Sequence, residues 1–149
     1  MRKLICSVQE GHVPRQRIPD LEIALKRAYA DHFGAVPLVI WCEVPRGQGY
    51  TEGRLSDVSW LMVETADGLA QPRREAAMTA LAREWSRVAG VPIERLMITL
   101  CDRKVFDTYL AANRNRLRPL SRPLYLLKLL LQIRASRQRD GYASIAANL

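Results

Sequence analysis

The sequence predicts a mixed α/β (α+β) fold made of two tandem βαβ units, followed by a helical C-terminal extension. Two observations carry this. The stretch from Gln71 to Cys101 reads as a helix, a Gly-Val-Pro break and a strand. The same plan stands 56 residues earlier, where Ala80-Leu81, Arg83, Trp85 and Gly90 fall on Ala24-Leu25, Arg27, Tyr29 and Gly34. Val91-Pro92 is echoed by Val36-Pro37 with one residue inserted, and Leu4–Val8 falls on Trp60–Glu64. Strand, helix, strand therefore occurs twice. Parallel pairing within each half follows, because a right-handed crossover returns the chain to the same sheet.

Each element has a local reason. Lys3–Val8 is a short apolar run that suits a strand, and a loop from Gln9 to Pro14 leads to a helix that starts near Pro19. Proline fits a first helical turn, where its missing N–H would be unpaired anyway. Ile18, Leu21, Leu25, Ala28 and His32 share one face of this helix, with Tyr29 beside it, and Gly34 stops it. Val36–Val44 is the second strand. Pro45–Gly53 holds three glycines in seven residues and marks a hairpin or a mobile loop. Val58–Thr65 is the third strand, and Asp67-Gly68 turns the chain into the second helix. Pro72 opens that helix, Met78, Leu81, Trp85 and Val88 recur at helical spacing, and Gly90 and Pro92 end it. Leu96–Cys101 is the fourth strand, nearly continuous in apolar residues and so covered on both faces or nearly so. A third helix opens at Asp102-Arg103-Lys104. Asn113–Arg118 reads as a basic loop, Pro119 and Pro123 bracket a turn, Leu124–Ile133 is a leucine-dense helix, and Gly141–Leu149 reads as loose.

Charge divides the chain. Residues 1–113 hold 15 Lys/Arg against 14 Asp/Glu, whereas residues 114–149 hold 8 against 1. A neutral body of residues 1–113 and a basic, Leu-rich extension of residues 114–149 follow. A neutral body argues against nucleic-acid binding by the fold. The leucine run is too short to span a membrane, and its apolar residues lie nearly all round rather than on one face. Arg2-Lys3 is followed by only a few apolar residues, so no signal-peptide pattern is present and a cytoplasmic protein is expected. Cys6, Cys42 and Cys101 each sit in a predicted strand without metal-ligand spacing, which reads as buried thiols and no metal site. His12, in a loop, and His32 stand alone and read as surface histidines.

Val39-Ile40-Trp41-Cys42-Glu43-Val44 and Gly90-Val91-Pro92-Ile93-Glu94-Arg95, within Ile18–Val44 and Gln71–Asp102, resemble the tautomerase superfamily, nearest its cis-3-chloroacrylic acid dehalogenase-like group. The resemblance covers residues 1–113 and implies a four-stranded mixed sheet with both helices on one face, assembled as a homotrimer with sheets toward the centre. That family's chemistry rests on an N-terminal proline, uses no cofactor, and holds a substrate carboxylate with arginines near the second helix start. Residue 2 here is Arg, and a large second residue keeps Met1 in place. The resemblance then implies Met1, through its amine, and Arg2 as catalytic groups. It implies Arg73 and Arg74 as carboxylate ligands, with Arg15 and Arg17 in the matching place on the first helix. The dehalogenase group's further helpers do not line up: Lys26 and Thr99 occupy two of those places, and Asp102, Asp107 and Tyr109 are the nearest substitutes for the last.

Two functions follow. One is a divergent isomerase- or lyase-type enzyme acting on a small carboxylate or an enolisable carbonyl compound. The other is a non-catalytic scaffold of the same fold that binds a partner through the basic C-terminal helix.

Overall fold

The computed structural model describes residues 2–116 and 122–146. The first half is β1 (Lys3–Gln9), α1 (Ile18–Phe33) and β2 (Leu38–Val44). A small hairpin, β3 (Tyr50–Thr51) and β4 (Arg54–Leu55), leads to the second half: β5 (Ser59–Thr65), α2 (Gln71–Ala89) and β6 (Leu96–Asp102). The chain goes on through α3 (Arg103–Asn115), α4 (Arg122–Asp140) and β7 (Ser144–Ala146). Both long helices end as their sequences require: Gly34 (φ 65°, ψ 20°) and Gly90 (φ 72°, ψ 19°) take the left-handed conformation that closes a helix and that a Cβ disfavours.

The sheet runs β6-β5-β1-β2-β7. β1 pairs parallel with β2 and β5 with β6, while β1 and β5 meet antiparallel at the centre. This central register is its own mirror under the sequence repeat. Leu4 faces Val63 and Ser7 faces Trp60; shifting each pair by 56 positions exchanges the two pairs. The two halves are thus related by a twofold between β1 and β5.

Alternation of side chains sets the layers. Leu4, Cys6, Val8, Val39, Trp41, Leu61 and Val63 are buried in one core with Leu21, Leu25, Tyr29, Leu81 and Trp85 of α1 and α2. Trp41 and Trp85 stack at its middle, ring centroids 5.9 Å apart. The Trp41 indole N–H donates to the buried Glu22 carboxylate at 3.1 Å, and Lys26 completes that carboxylate's shell at 2.5 Å. The other sheet face carries Ile5, Ile40, Trp60 and Thr99 half-buried, and Met97 is 49% exposed on it. The expectation that the outer strands are covered on both faces is therefore met on one face only within a single chain.

The sheet has five strands rather than the expected four. The fifth, β7, comes from the extension and lies parallel to β2, with Trp41 facing Ser144 and the Trp41 N–H donating to Ala143 O at 2.9 Å. Tyr142 and Ala143 are buried, and the Tyr142 ring meets Trp41 edge-on at 6.3 Å. The segment from Gly141 is therefore docked as far as Ala146, not loose; residues 147–149 lie outside the described residues. A three-residue strand, Ser-Ile-Ala, shows no periodicity, so its place depends on the open edge of β2. Two boundaries also move: α3 continues to Asn115 into the expected loop, and Pro123 sits in the first turn of α4. Pro119, the other half of the expected turn, lies outside the described residues.

Among its described residues, α4 buries only Ser136. Leu124, Leu127, Leu130 and Leu131 are 70%, 54%, 64% and 58% exposed. No helix among the described residues is long and apolar enough to cross a membrane.

Because Tyr142 completes the core beneath Trp41, Tyr142→Ala is expected to destabilise the chain by about 3 kcal/mol, the range for deleting a buried aromatic. Urea denaturation should show a lower midpoint at an unchanged slope. A midpoint equal to that of the wild type would mean that β7 contributes nothing to the core.

Candidate active site

The antiparallel centre places the start of β1 beside the ends of β5 and β6. Leu4 faces Val63, Thr65 faces Asp102, and the Leu38 N–H donates to Arg2 O at 2.7 Å. The C-terminus of α1, the N-terminus of α2 and all of α3 gather at this same end. Met1, the expected proton carrier, lies outside the described residues; Arg2 and Lys3 mark its approach.

Glu64 organises this end. It is only 2% exposed and accepts two bonds from Lys3, from the backbone N–H at 3.1 Å and from Nζ at 3.2 Å. Arg103 Nε stands 3.9 Å from its other oxygen, and Asp107 lies 3.8 Å from both Lys3 Nζ and Arg103 Nε. Beneath them the fully buried Phe106 of α3 holds its ring centroid 5.5 Å from Lys3 Nζ. Burying a carboxylate is costly unless it is paired, and Lys3 and Arg103 supply the pairing. On the helix side of the sheet, the Tyr29 hydroxyl donates to Glu64 O at 2.6 Å. Burial pushes the Tyr29 phenol above its ordinary pKa, and the neighbouring Arg2 guanidinium draws it partly back. Arg2 Nη1 is buried without a hydrogen-bond partner among the described residues. The phenol's one proton is committed to Glu64 O, and the end therefore presents a guanidinium with a proton to spare.

The four arginines expected near the helix starts divide. Arg73 Nη2 donates to His32 O at 3.2 Å, at the C-terminus of α1. Arg17 Nη1 lies 3.4 Å from Val88 O and 3.3 Å from Ala89 O, at the C-terminus of α2. Arg17 and Arg73 are 56 positions apart, and so are His32 and Val88; the two contacts are one contact repeated by the twofold. Each places a cation where a helix dipole ends. Arg74 donates to Leu69 O at 2.8 Å, to Leu100 O at 3.4 Å and to Asp102. That bond first, and the Gly68 N–H second, hold the Asp102 carboxyl below its ordinary pKa. Arg15 pairs with Glu43 at 2.9 Å, at the far end of the sheet. Arg2, Arg73 and Arg74 thus share one end, and Arg15 and Arg17 share the other.

Several of the remaining polar groups are tied up. Lys26 serves Glu22, and Thr99 Oγ1 accepts from the Trp60 indole at 3.0 Å. Tyr109 is 44% exposed on α3. Burial raises the pKa of all three thiols, most of all Cys6. No group of three or more His, Cys, Asp or Glu that could hold a metal occurs among the described residues. The sequence reading missed one cluster: His12 is not a surface residue but only 13% exposed, with Nδ1 3.4 Å from Asp57.

No protein-family model and no curated protein matches the sequence. Solved structures do. A fused 4-OT described as a symmetric trimer matches with a TM-score of 0.61 at 21% identity, over 67% of this chain and 84% of that one. Pt0534 inactivated by 2-oxo-3-pentynoate matches with the same score, identity and coverage. N1, a member of the cis-3-chloroacrylic acid dehalogenase family, matches with a TM-score of 0.62 at 16% identity, over 67% of this chain and 73% of that one.

The chain has the tautomerase-superfamily fold. At residue 2 it carries Arg.

The reciprocal arginine contacts give this tautomerase fold a test. Arg17→Ala and Arg73→Ala are each expected to cost about 1 kcal/mol, the net worth of a hydrogen bond from a charged donor at an exposed site. The two losses should add within about 0.5 kcal/mol, since the sites share no partner. Thermal or urea unfolding of both variants and the double variant reads this; a loss confined to one of them would mean that the contacts are not equivalent.

Proposed function

We infer that the protein is a cofactor-independent isomerase- or lyase-type enzyme acting on a small carboxylate or an enolisable carbonyl compound, and that it works as a homotrimer. The observation that supports this most is the buried, unpartnered Nη1 of Arg2 beside the Tyr29 hydroxyl. A buried donor without an acceptor is costly, and a substrate oxygen would relieve it.

In this reading Arg2 and Arg73 hold the substrate carboxylate. Arg73 spends one donor on His32 O and keeps the others of its fork. The terminal amine of Met1, with a reference pKa of about 7.7–8.0, takes a proton from the carbon next to the carbonyl and returns it elsewhere on the substrate. Atoms and charge balance within the substrate, so no redox partner is needed. Tyr29, whose proton goes to Glu64 O, fixes the end of β5 beside Arg2. Pt0534, inactivated by a 2-oxo acid analogue, fits the same substrate class. Trimerisation is supported by the apolar open face of the sheet, by the exposed leucines of α4 and by the trimeric fused 4-OT.

Ketonisation of hydroxyphenylpyruvate, followed by ultraviolet absorbance, tests the activity. The wild type should exceed the uncatalysed rate, and Arg2→Ala should lose roughly tenfold or more in kcat/KM, about 1.4 kcal/mol. Absence of turnover, together with no binding of pyruvate or hydroxyphenylpyruvate, would overturn the reading. Light scattering should give the mass of three chains; a single-chain mass at micromolar concentration would overturn the trimer.

A further inference from the structure

The repeat that relates the two halves also relates the two ends of the sheet. Asp57 and Val58 precede β5 as residues 1 and 2 precede β1, again 56 positions on. Arg15 and Arg17 stand at that second end as Arg73 and Arg74 stand at the first. The first end is flanked by α3. The second has no such helix: a cleft of about 410 Å³ opens there, walled by the exit of β1 at Gln9, the loop after β2 at Arg46 and Gly47, the segment from Leu55 to Asp57, and Arg95.

The cleft is built tightly. A Cβ on Gly49 would stand 2.6 Å from Ser56 O, so that close approach of two backbones depends on glycine. Arg46 makes no ion pair or hydrogen bond among the described residues. Arg95 pairs with Asp57, and the same Asp57 oxygen faces His12 Nδ1 at 3.4 Å. His12 Nε2 is buried without a partner. Arg95 is therefore held by Asp57, with His12 close behind it, and Arg46 lines the cleft with its donors unpaired among the described residues.

The geometry points to a second anion site at this end, one that takes a small organic monocarboxylate. Two guanidinium groups against one carboxylate leave a single net positive charge, which suits a monoanion. A dianionic phosphate would bring a second negative charge against Asp57. Arginine forks match carboxylates bidentately. Gly47 and the Leu55 side chain give the carbon skeleton an apolar wall, and about 410 Å³ lies within the usual range for a small-ligand pocket. His12 lies beside Asp57, which aims Arg95, so its ring reports on the site. The site stands apart from the chemistry proposed at the Arg2 end and does not depend on it.

The chain has two histidines, so ring resonances of His12 and His32 give a local readout with an internal control. Pyruvate titrated into the full-length protein should shift the His12 ring signals saturably and leave those of His32 in place. Arg46→Gln should weaken that response roughly tenfold or more, about 1.4 kcal/mol, without altering any keto-acid turnover at the Arg2 end. Two results overturn the site: no saturable His12 shift, or the same affinity in Arg46→Gln. A His12 response to chloride or inorganic phosphate as strong as that to pyruvate overturns the assignment to a carboxylate. Loss of turnover with the His12 response intact counts against the Arg2-end chemistry alone.

Discussion

Antiparallel pairing of β1 with β5 about a local twofold governs the rest of this molecule. With Leu4 opposite Val63 and Ser7 opposite Trp60, each half is positioned by the other. The two crossover helices then run antiparallel on one face, so the start of each lies beside the end of its partner. Arg17 and Arg73 exploit that placement, each donating to the last carbonyls of the opposite helix. A single-residue slip between β1 and β5 would turn either Leu4 and Cys6 or Leu61 and Val63 out of the core, because side chains alternate along a strand.

The same symmetry explains why the two ends of the sheet differ. The halves share a backbone plan, but the chain leaves their last strands differently. After β6 it enters α3, which lays Phe106 and Arg103 over Glu64 at the Arg2 end. After β2 it enters a glycine-rich hairpin that lies back and leaves a cleft beside Asp57. One duplicated frame thus carries two environments: one built on a buried carboxylate with cationic partners, and an open one in which Asp57 aligns an arginine.

Much of the fold was legible in the sequence because the signals were local or repeated. Gly34 and Gly90 mark helix ends by a conformation only glycine takes easily, Pro19 and Pro72 mark helix starts, and the 56-residue echo fixes the order of elements. The candidate site was legible only in part. Arginines near helix starts could be found from spacing, but whether a guanidinium faces a ligand or a neighbouring carbonyl depends on what the fold brings within 3.5 Å. Glu64 gave no signal in sequence, since its burial depends on α3 folding over β5. His12 and Asp57 are separated by 45 positions, and no periodicity joins a loop residue to the lead-in of a distant strand.

The sequence by itself determined the two βαβ units, their helix boundaries and the parallel pairing within each half, because these follow from hydrophobic period, glycine and proline geometry and crossover handedness. The tertiary structure alone decided that the halves meet through β1 and β5, that Tyr142 and β7 close the β2 edge, and that Arg17 and Arg73 serve helix ends. Those outcomes are contacts between segments far apart in the chain, and their energies depend on burial and distance that no local pattern encodes.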